Sequence, residues 1–312
     1  MRVSDKQLNK FIIQVVIFLC IVICLPIMTL YYNTNRNLDT NNSAAIETIS
    51  SGKDTDYKID LNGDGRKDIL SIEVDDGKYS AIAYINSTKY QLIPSTPLNT
   101  LGTSNNEIYC TFIDTTRNNI PEIIIQSYEN NTPMQHIFTW NGHKFIDIFS
   151  STNNSIGILD HTSNKTSRLL SFNINSSLEN IQQYMYIKDS YKNISYDKSD
   201  IQGYSCIQKL IDVIQLQYEL EECPDIFNDD VDYYSKSLLW KLSKNSYDYQ
   251  FRDCFFFDTK CDKNGNPTEY QWNIRFEKKL KSAEQTSSII KMKVTVKQLS
   301  DMFKINSISI EK

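Results

Sequence analysis

Residues 60–69 read Asp60-Leu61-Asn62-Gly63-Asp64-Gly65-Arg66-Lys67-Asp68-Ile69, and the rest of the chain is best read outward from them. Oxygen-bearing side chains fall at alternate positions 1, 3 and 5, with Asp68 at position 9. Side chains Asp60, Asn62, Asp64 and Asp68, together with the Arg66 carbonyl, can converge on one hard cation while Gly65 permits the tight turn. Calcium is the expected cofactor; the bland alternative is a polar turn that binds nothing. An EF-hand needs Glu at position 12 and a helix afterwards. Here Ser71 holds that place, and Ile69-Leu-Ser-Ile-Glu-Val74 has the composition of a strand.

The frame returns twice. Asp114 and Glu122 in Phe112–Ile123 occupy the places of Asp60 and Asp68, with Asn119 at the glycine position, where Asn tolerates left-handed dihedrals. Asp160 opens a third copy whose position 9 is Arg168. The following halves correspond as well: Ile82–Tyr90 matches Ile137–Phe145, each a strand, a polar turn and a strand, and Asn141-Gly142 is a hairpin signal. Met185–Tyr191 is a fainter third version. Repetition at this period predicts blade-like β units that stack to bury their faces.

The loop followed by strand–turn–strand resembles the FG-GAP/VCBS repeats, bacterial relatives of integrin α-chain propeller blades. The resemblance rests on Asp60, Asn62, Asp64, Gly65 and Asp68 and covers about residues 57–200. It implies a calcium-stabilised blade at these positions. With three copies, the expected form is an open β array.

Residues 11–30, FIIQVVIFLCIVICLPIMTL, carry no charge, and Tyr31 and Tyr32 follow them. Twenty residues at about 1.5 Å each match a bilayer core of about 30 Å, which predicts an uncleaved transmembrane anchor over 11–32. Basic residues concentrate before it, so the N-terminal tail 1–10 is expected in the cytoplasm and the remainder outside. Polar residues 33–54 are read as a tether.

From 201 the periodicity changes. Ile207, Leu210, Ile211 and Ile214 share a helical face behind a possible Ser205/Gln208 capping box. A second helix is expected near Asn228 or Asp229 with a stripe of Val231, Tyr234, Leu238 and Leu242. Four alternating segments follow: Tyr247–Phe257, Tyr270–Phe276, Ile290–Val296 and Phe303–Ile310, with a bulge at Asn306–Ser307. This element order resembles the nuclear transport factor 2-like α+β cone. The expected fold class is therefore mainly β plus α+β: an N-terminal transmembrane helix, a β-repeat module over 55–200 and a two-helix, four-strand cone over 201–312.

The net charge is −5 over 312 residues and no basic stripe occurs, which argues against nucleic acid as a partner. The abundance of Lys, Asn and Ile points to an AT-rich bacterial genome. Five of seven cysteines lie beyond the apolar stretch; Cys206–Cys223 and Cys254–Cys261 are the candidate bridges, and no zinc spacing appears. The three histidines are read as surface residues, with His136 and His143 across one hairpin. Asp253 and Asp212 are the carboxylates able to point into a cone; otherwise they are satisfied or exposed. No nucleophile elbow, zincin, phosphate-loop or dinucleotide motif is found. The expectation is a membrane-anchored, extracellular binding or scaffold protein with a protein or cell-wall ligand. The alternative is a small-ligand receptor or enzyme using a pocket in the C-terminal part.

Overall fold

Four of the antiparallel hairpins in this chain are turned back by a residue pair at positive φ, and these tight turns favour meanders. The computed structural model describes residues 45–49 (backbone only), 55–174, 181–195, 201–282 and 287–311. Asp76-Gly77, Asn86-Ser87, Asn130-Asn131 and Lys188-Asp189 all have φ between 46° and 73°. Two consecutive left-handed residues match the right-handed twist of the strands they join.

The first meander is β2 (Thr55–Ile59), β3 (Asp68–Asp75), β4 (Lys78–Ile85) and β5 (Thr88–Leu92). The second is β6 (Ile108–Ile113), β7 (Glu122–Glu129), β8 (Thr132–Trp140) and β9 (Phe145–Ser151), with β1 (Ala45–Ile49) added beside β6. That pairing places residues 45–49 of the expected tether in a strand. A third meander, β10 (Ser155–Leu159), β11 (Arg168–Phe172), β12 (Gln182–Ile187) and β13 (Ser190–Asn193), precedes two helices, α1 (Tyr204–Gln215) and α2 (Tyr233–Lys241). The fourth comprises β14 (Tyr247–Cys261), β15 (Pro267–Leu280), β16 (Ser287–Leu299) and β17 (Met302–Glu311).

Meanders three and four do not stand face to face. They join edge to edge through a parallel ladder between β10 and β14, making one eight-stranded sheet in the order β13-β12-β11-β10-β14-β15-β16-β17. This corrects the expected fold class. The third repeat belongs to the same sheet as the four C-terminal strands, so no separate two-helix, four-strand cone forms. The expected bulge is present, however, where the register passes from Thr295↔Ser307 to Val296↔Ile305.

The layers follow from alternation. Ile123 and Ile125 of β7 face the first meander, in a core with Tyr57, Leu70, Ile72 and Phe112. Their neighbours Gln126 and Tyr128 reach the eight-stranded sheet instead, at the Cys254 carbonyl and the Asp253 carboxylate. The other face of that sheet is covered by the helices, whose Ile207, Leu210, Ile214, Leu238 and Leu239 pack on Phe256, Trp272 and Val294. The second sheet is thus buried on both sides, and the eight-stranded sheet is buried on both sides over its centre.

Gly157 decides how closely β10 and β14 can lie. A Cβ built there would sit 2.1 Å from the Phe256 ring. Phe256 pairs with Gly157 across the ladder and stacks on Trp272 with centroids 3.9 Å apart. The ring occupies the space that a side chain would need.

The expected transmembrane helix is not borne out. Among the described residues no helix is long and apolar enough to cross a membrane, and residues 11–32, which carry that expectation, lie outside them. The 12 residues of α1 span about 18 Å against the roughly 30 Å required, and their apolar stripe is spent on the core. The single-pass placement built on that helix is not carried forward. Neither candidate bridge forms: Cys206 is buried and Cys223 exposed without a disulfide between them, and Cys254 and Cys261 are seven positions apart on one strand, about 23 Å, and cannot bridge.

Gly157→Ala forces Phe256 off Trp272 and is expected to lower stability by about 2 kcal/mol, in the range of core overpacking. Urea denaturation gives the value, and a change below about 0.5 kcal/mol would refute the packing argument.

Candidate functional site

The loop quoted first is a set of Asx turns. Asp60 accepts from the amides of Gly63 at 2.7 Å and Gly65 at 2.7 Å. Asn62 accepts from the Asp64 amide at 3.1 Å, and Asp64 accepts from the Arg66 amide at 2.8 Å. That last bond, with Asn62 and Asn86 adding, holds the Asp64 carboxyl below its ordinary range. Asp68 turns inward, is buried, and accepts from the Leu61 amide at 3.0 Å; burial raises its carboxyl, and the charges of Asp64 and Asp60 add to the rise.

The second loop repeats three of these bonds at matching positions, Ile120 to Asn118 among them. Asp114 accepts from the Asn119 amide at 2.9 Å, as Asp60 does from Gly65. Glu122 accepts from the Thr115 amide at 2.7 Å, as Asp68 does from Leu61. In the third loop Arg168 stands at position 9 and binds Asp160 at 2.8 Å. The position-2 amide, His161, finds a replacement carboxylate in Asp258 of β14, also at 2.8 Å. A fourth loop follows β14, where Asp262 accepts from Asn264 at 2.9 Å and Asn266 at 2.8 Å. Its sequence Asp262-Lys-Asn264-Gly265-Asn266 mirrors Asp60-Leu-Asn62-Gly63-Asp64. Neighbouring loops touch: Gly63 abuts Ile120, Arg117 donates to the Asp160 and Ser163 carbonyls, and Lys165 donates to Asn266.

This geometry lends the calcium assignment no support. The expected ligands do share one loop, yet the side-chain oxygens of Asp60, Asn62, Asp64 and Asp68 accept from backbone amides, and Asp68 at position 9 turns inward and is buried. Among the described residues no group of three or more His, Cys, Asp or Glu side chains is arranged to hold a metal ion. Alternating Asp and Asn with a glycine bend suits a cation, but it equally suits successive Asx turns, and here the turns account for it.

His136 is not a surface residue. It is fully buried on β8, its Nδ1 2.9 Å from Asp147 and its Nε2 3.0 Å from the Thr100 carbonyl, and its cross-strand partner is Ser150, not His143. Asp212 is exposed. Asp253 is buried between the two larger sheets, where it accepts from Tyr128 at 2.8 Å and from Arg275 Nε. Arg275 lies over the Tyr109 ring and Arg252 over the Tyr128 ring, 3.2 and 4.0 Å from the centroids. Burial pushes both phenols well above the ordinary tyrosine range. The adjoining cavity is about 10 Å³, room for one water and no substrate. A larger cavity of about 470 Å³ opens at the start of α1, between Gly203, Cys206, Lys209, Asp225 and Phe303. The Ser205/Gln208 capping box is not formed there: Gly203 is the N-cap, with φ 78° and no side-chain bond. Lys304 pairs with Asp225, and the Cys206 thiol donates to the Phe303 carbonyl at 3.2 Å.

What the sequence reading missed lies on α2. Asp232 caps this helix by accepting from the Ser235 amide at 2.9 Å. The cap fixes the helical phase, so Ser235, Leu238, Leu239 and Leu242 face inward, and Ser235 Oγ accepts from the Ile308 amide at 3.2 Å. Tyr234, expected in the buried stripe, is therefore 59% exposed, and Tyr233 is 86% exposed. Trp240 lies two turns from Tyr233 on the same side and donates to the Leu220 carbonyl at 3.0 Å. That bond brings the segment bearing Tyr218, 64% exposed, against the helix. The only signal in the sequence is a Tyr-Tyr pair directly after an acidic run.

No family model matches the chain, and no curated protein matches it.

Two loop residues give separate tests. With a chelator present, Asp60→Ala is expected to cost about 1 kcal/mol, the range of a lost cap, because three amides lose their acceptor; an unchanged denaturation midpoint would count against the turn geometry. Burial raises the Glu122 carboxyl above its ordinary value despite its threonine donors. The folded state then holds that proton more tightly than the unfolded one, so stability falls as pH rises through the raised value. Glu122→Gln removes this slope, and the variant gains on wild type from pH 4 upward; a constant difference across pH 4–8 would contradict the assignment.

Proposed function

We propose that the chain is a recognition or scaffold protein that uses its stacked meanders to present the α2 face to a partner macromolecule. One observation carries this reading: α2 buries a serine while leaving Tyr233, Tyr234 and part of Trp240 in solvent. Contiguous exposed aromatics cost solubility and serve no core, which is the signature of an interaction site. The supporting scaffold is read as an FG-GAP/VCBS-like β-repeat protein, on the strength of three meanders, the first, second and fourth, that each place an Asx loop between their first two strands. A receptor reading centred on the cavity at α1 has less behind it, because two of the three charged groups that line it, Lys304 and Asp225, already pair with each other, leaving Lys209.

The test separates a binding role from a structural one. The variant Tyr218→Ser, Tyr233→Ser, Tyr234→Ser should unfold within about 0.5 kcal/mol of wild type, as surface changes do. Peptides selected from a random display library on the wild-type chain should lose binding to it. A destabilisation beyond about 2 kcal/mol, or selected peptides that bind the variant equally well, would overturn the proposal.

A further inference from the structure

The segment leading into this face has one sign, and the basic residues of the face itself are Lys236 and Lys241 on α2. From Leu210 to Tyr234 the sequence holds Asp212, Glu219, Glu221, Glu222, Asp225, Asp229, Asp230 and Asp232 and not one Lys or Arg. All of these carboxylates are solvent-exposed. Asp225 is taken up by Lys304, and Asp232 by its cap on α2. Among the described residues no basic side chain forms an ion pair with Glu221, Glu222, Asp229 or Asp230. The aromatics sit inside this field: Tyr218 adjoins Glu219, Tyr233 and Tyr234 follow Asp232, and the Trp240–Leu220 bond holds the two segments together.

Resting on the recognition reading above, we infer that the partner is a Lys/Arg-rich polypeptide segment, whose cations lie on the open rings of Tyr218, Tyr233 and Trp240 within the surrounding carboxylates. Two features favour this occupant. The charge around the face is complementary to a basic chain and repels an acidic one. The face also already holds a cation of its own: Lys241 Nζ lies 4.2 Å from the centroid of the Tyr234 ring. Among the described residues no cation lies over Tyr218, Tyr233 or Trp240, so the same interaction is open to an incoming side chain. Elsewhere the molecule uses this contact where it must hold charge, as with Arg275 over Tyr109 and Arg252 over Tyr128. A neutral sugar would stack on the rings and leave the carboxylates without a role. An anionic lipid surface would be repelled.

The experiment titrates the full chain with three peptides of equal length, one of alternating Lys and Arg with Gly, one with Glu in their place, and one with Gln. Trp240 emission reports binding, with Trp240→Phe as the control. The expected result is saturable binding of the basic peptide only, weakened about tenfold between low and high salt. Two variants should each weaken it at least fivefold: Tyr218→Ser with Tyr233→Ser, and Glu221→Gln with Glu222→Gln and Asp230→Asn. Basic-peptide binding that ignores the tyrosine variant is bulk charge attraction and overturns the inference. Binding of the Gln peptide or a neutral oligosaccharide at this face, without the basic one, overturns it while leaving the recognition reading standing. Absence of any ligand at the face overturns both.

Discussion

The contact between Gly157 and the Phe256 ring governs how the two ends of the molecule are joined. Parallel strands give no hairpin to bring them together, so β10 and β14 must be drawn together by what lies between and above them. The absent Cβ of Gly157 admits the Phe256 ring, and that ring stacks on Trp272 of β15 and meets Phe172 of β11 edge-on. One aromatic therefore ties three strands of the fourth and third meanders into a single sheet. Without it the third meander would keep a free edge, and α1 would lose the floor on which Ile207 and Leu210 pack.

The sheet so formed fixes what the loops have to do. Each of the four meanders reverses after its first strand through a loop that would expose several amides, and each loop answers with an Asp that accepts from amides two to five positions ahead or from an arginine. Where position 9 keeps a carboxylate, as in Asp68 and Glu122, it accepts from the position-2 amide. Where it does not, at Arg168, the guanidinium takes up the first aspartate and Asp258 supplies the missing acceptor from the adjacent strand. That exchange is possible only because β14 lies beside β10. The substitution that reads as decay in the sequence is compensated across the parallel ladder.

The strands and turns were largely legible, because period-two alternation and Asn or Gly pairs are local signals. Asn306 even showed its bulge. The joining of the third and fourth meanders was not legible, since nothing in Ile156-Gly157-Ile158 names the strand it will meet nearly a hundred residues later. The sites failed for a different reason. Asp60, Asn62, Asp64 and Asp68 were found together correctly, yet a cation and a series of amides ask the same residue types at the same spacing. Only the directions of the side chains separate the two, and spacing does not encode direction. His136 was misplaced because one polar residue in a strand reads as outward-facing, whereas Asp147 and Thr100 meet it inside.

The helix phase shows why the exposed aromatic face was invisible to pattern reading. A stripe of Val231, Tyr234, Leu238 and Leu242 has good helical spacing, and by hydrophobicity alone Tyr234 belongs inside. Asp232 starts the helix at a phase that gives the inward place to Ser235, whose hydroxyl satisfies the Ile308 amide in β17 beside the bulge. A tyrosine could fill that volume but could not make so short a bond to the backbone. The edge strand β17 thus offers a backbone amide that the serine satisfies, and with Ser235 inward the helix turns two tyrosines toward solvent. The exposed face is a consequence of the sheet's own hydrogen-bond accounting, and its chemistry, aromatic rings among unpaired carboxylates, is suited to cations.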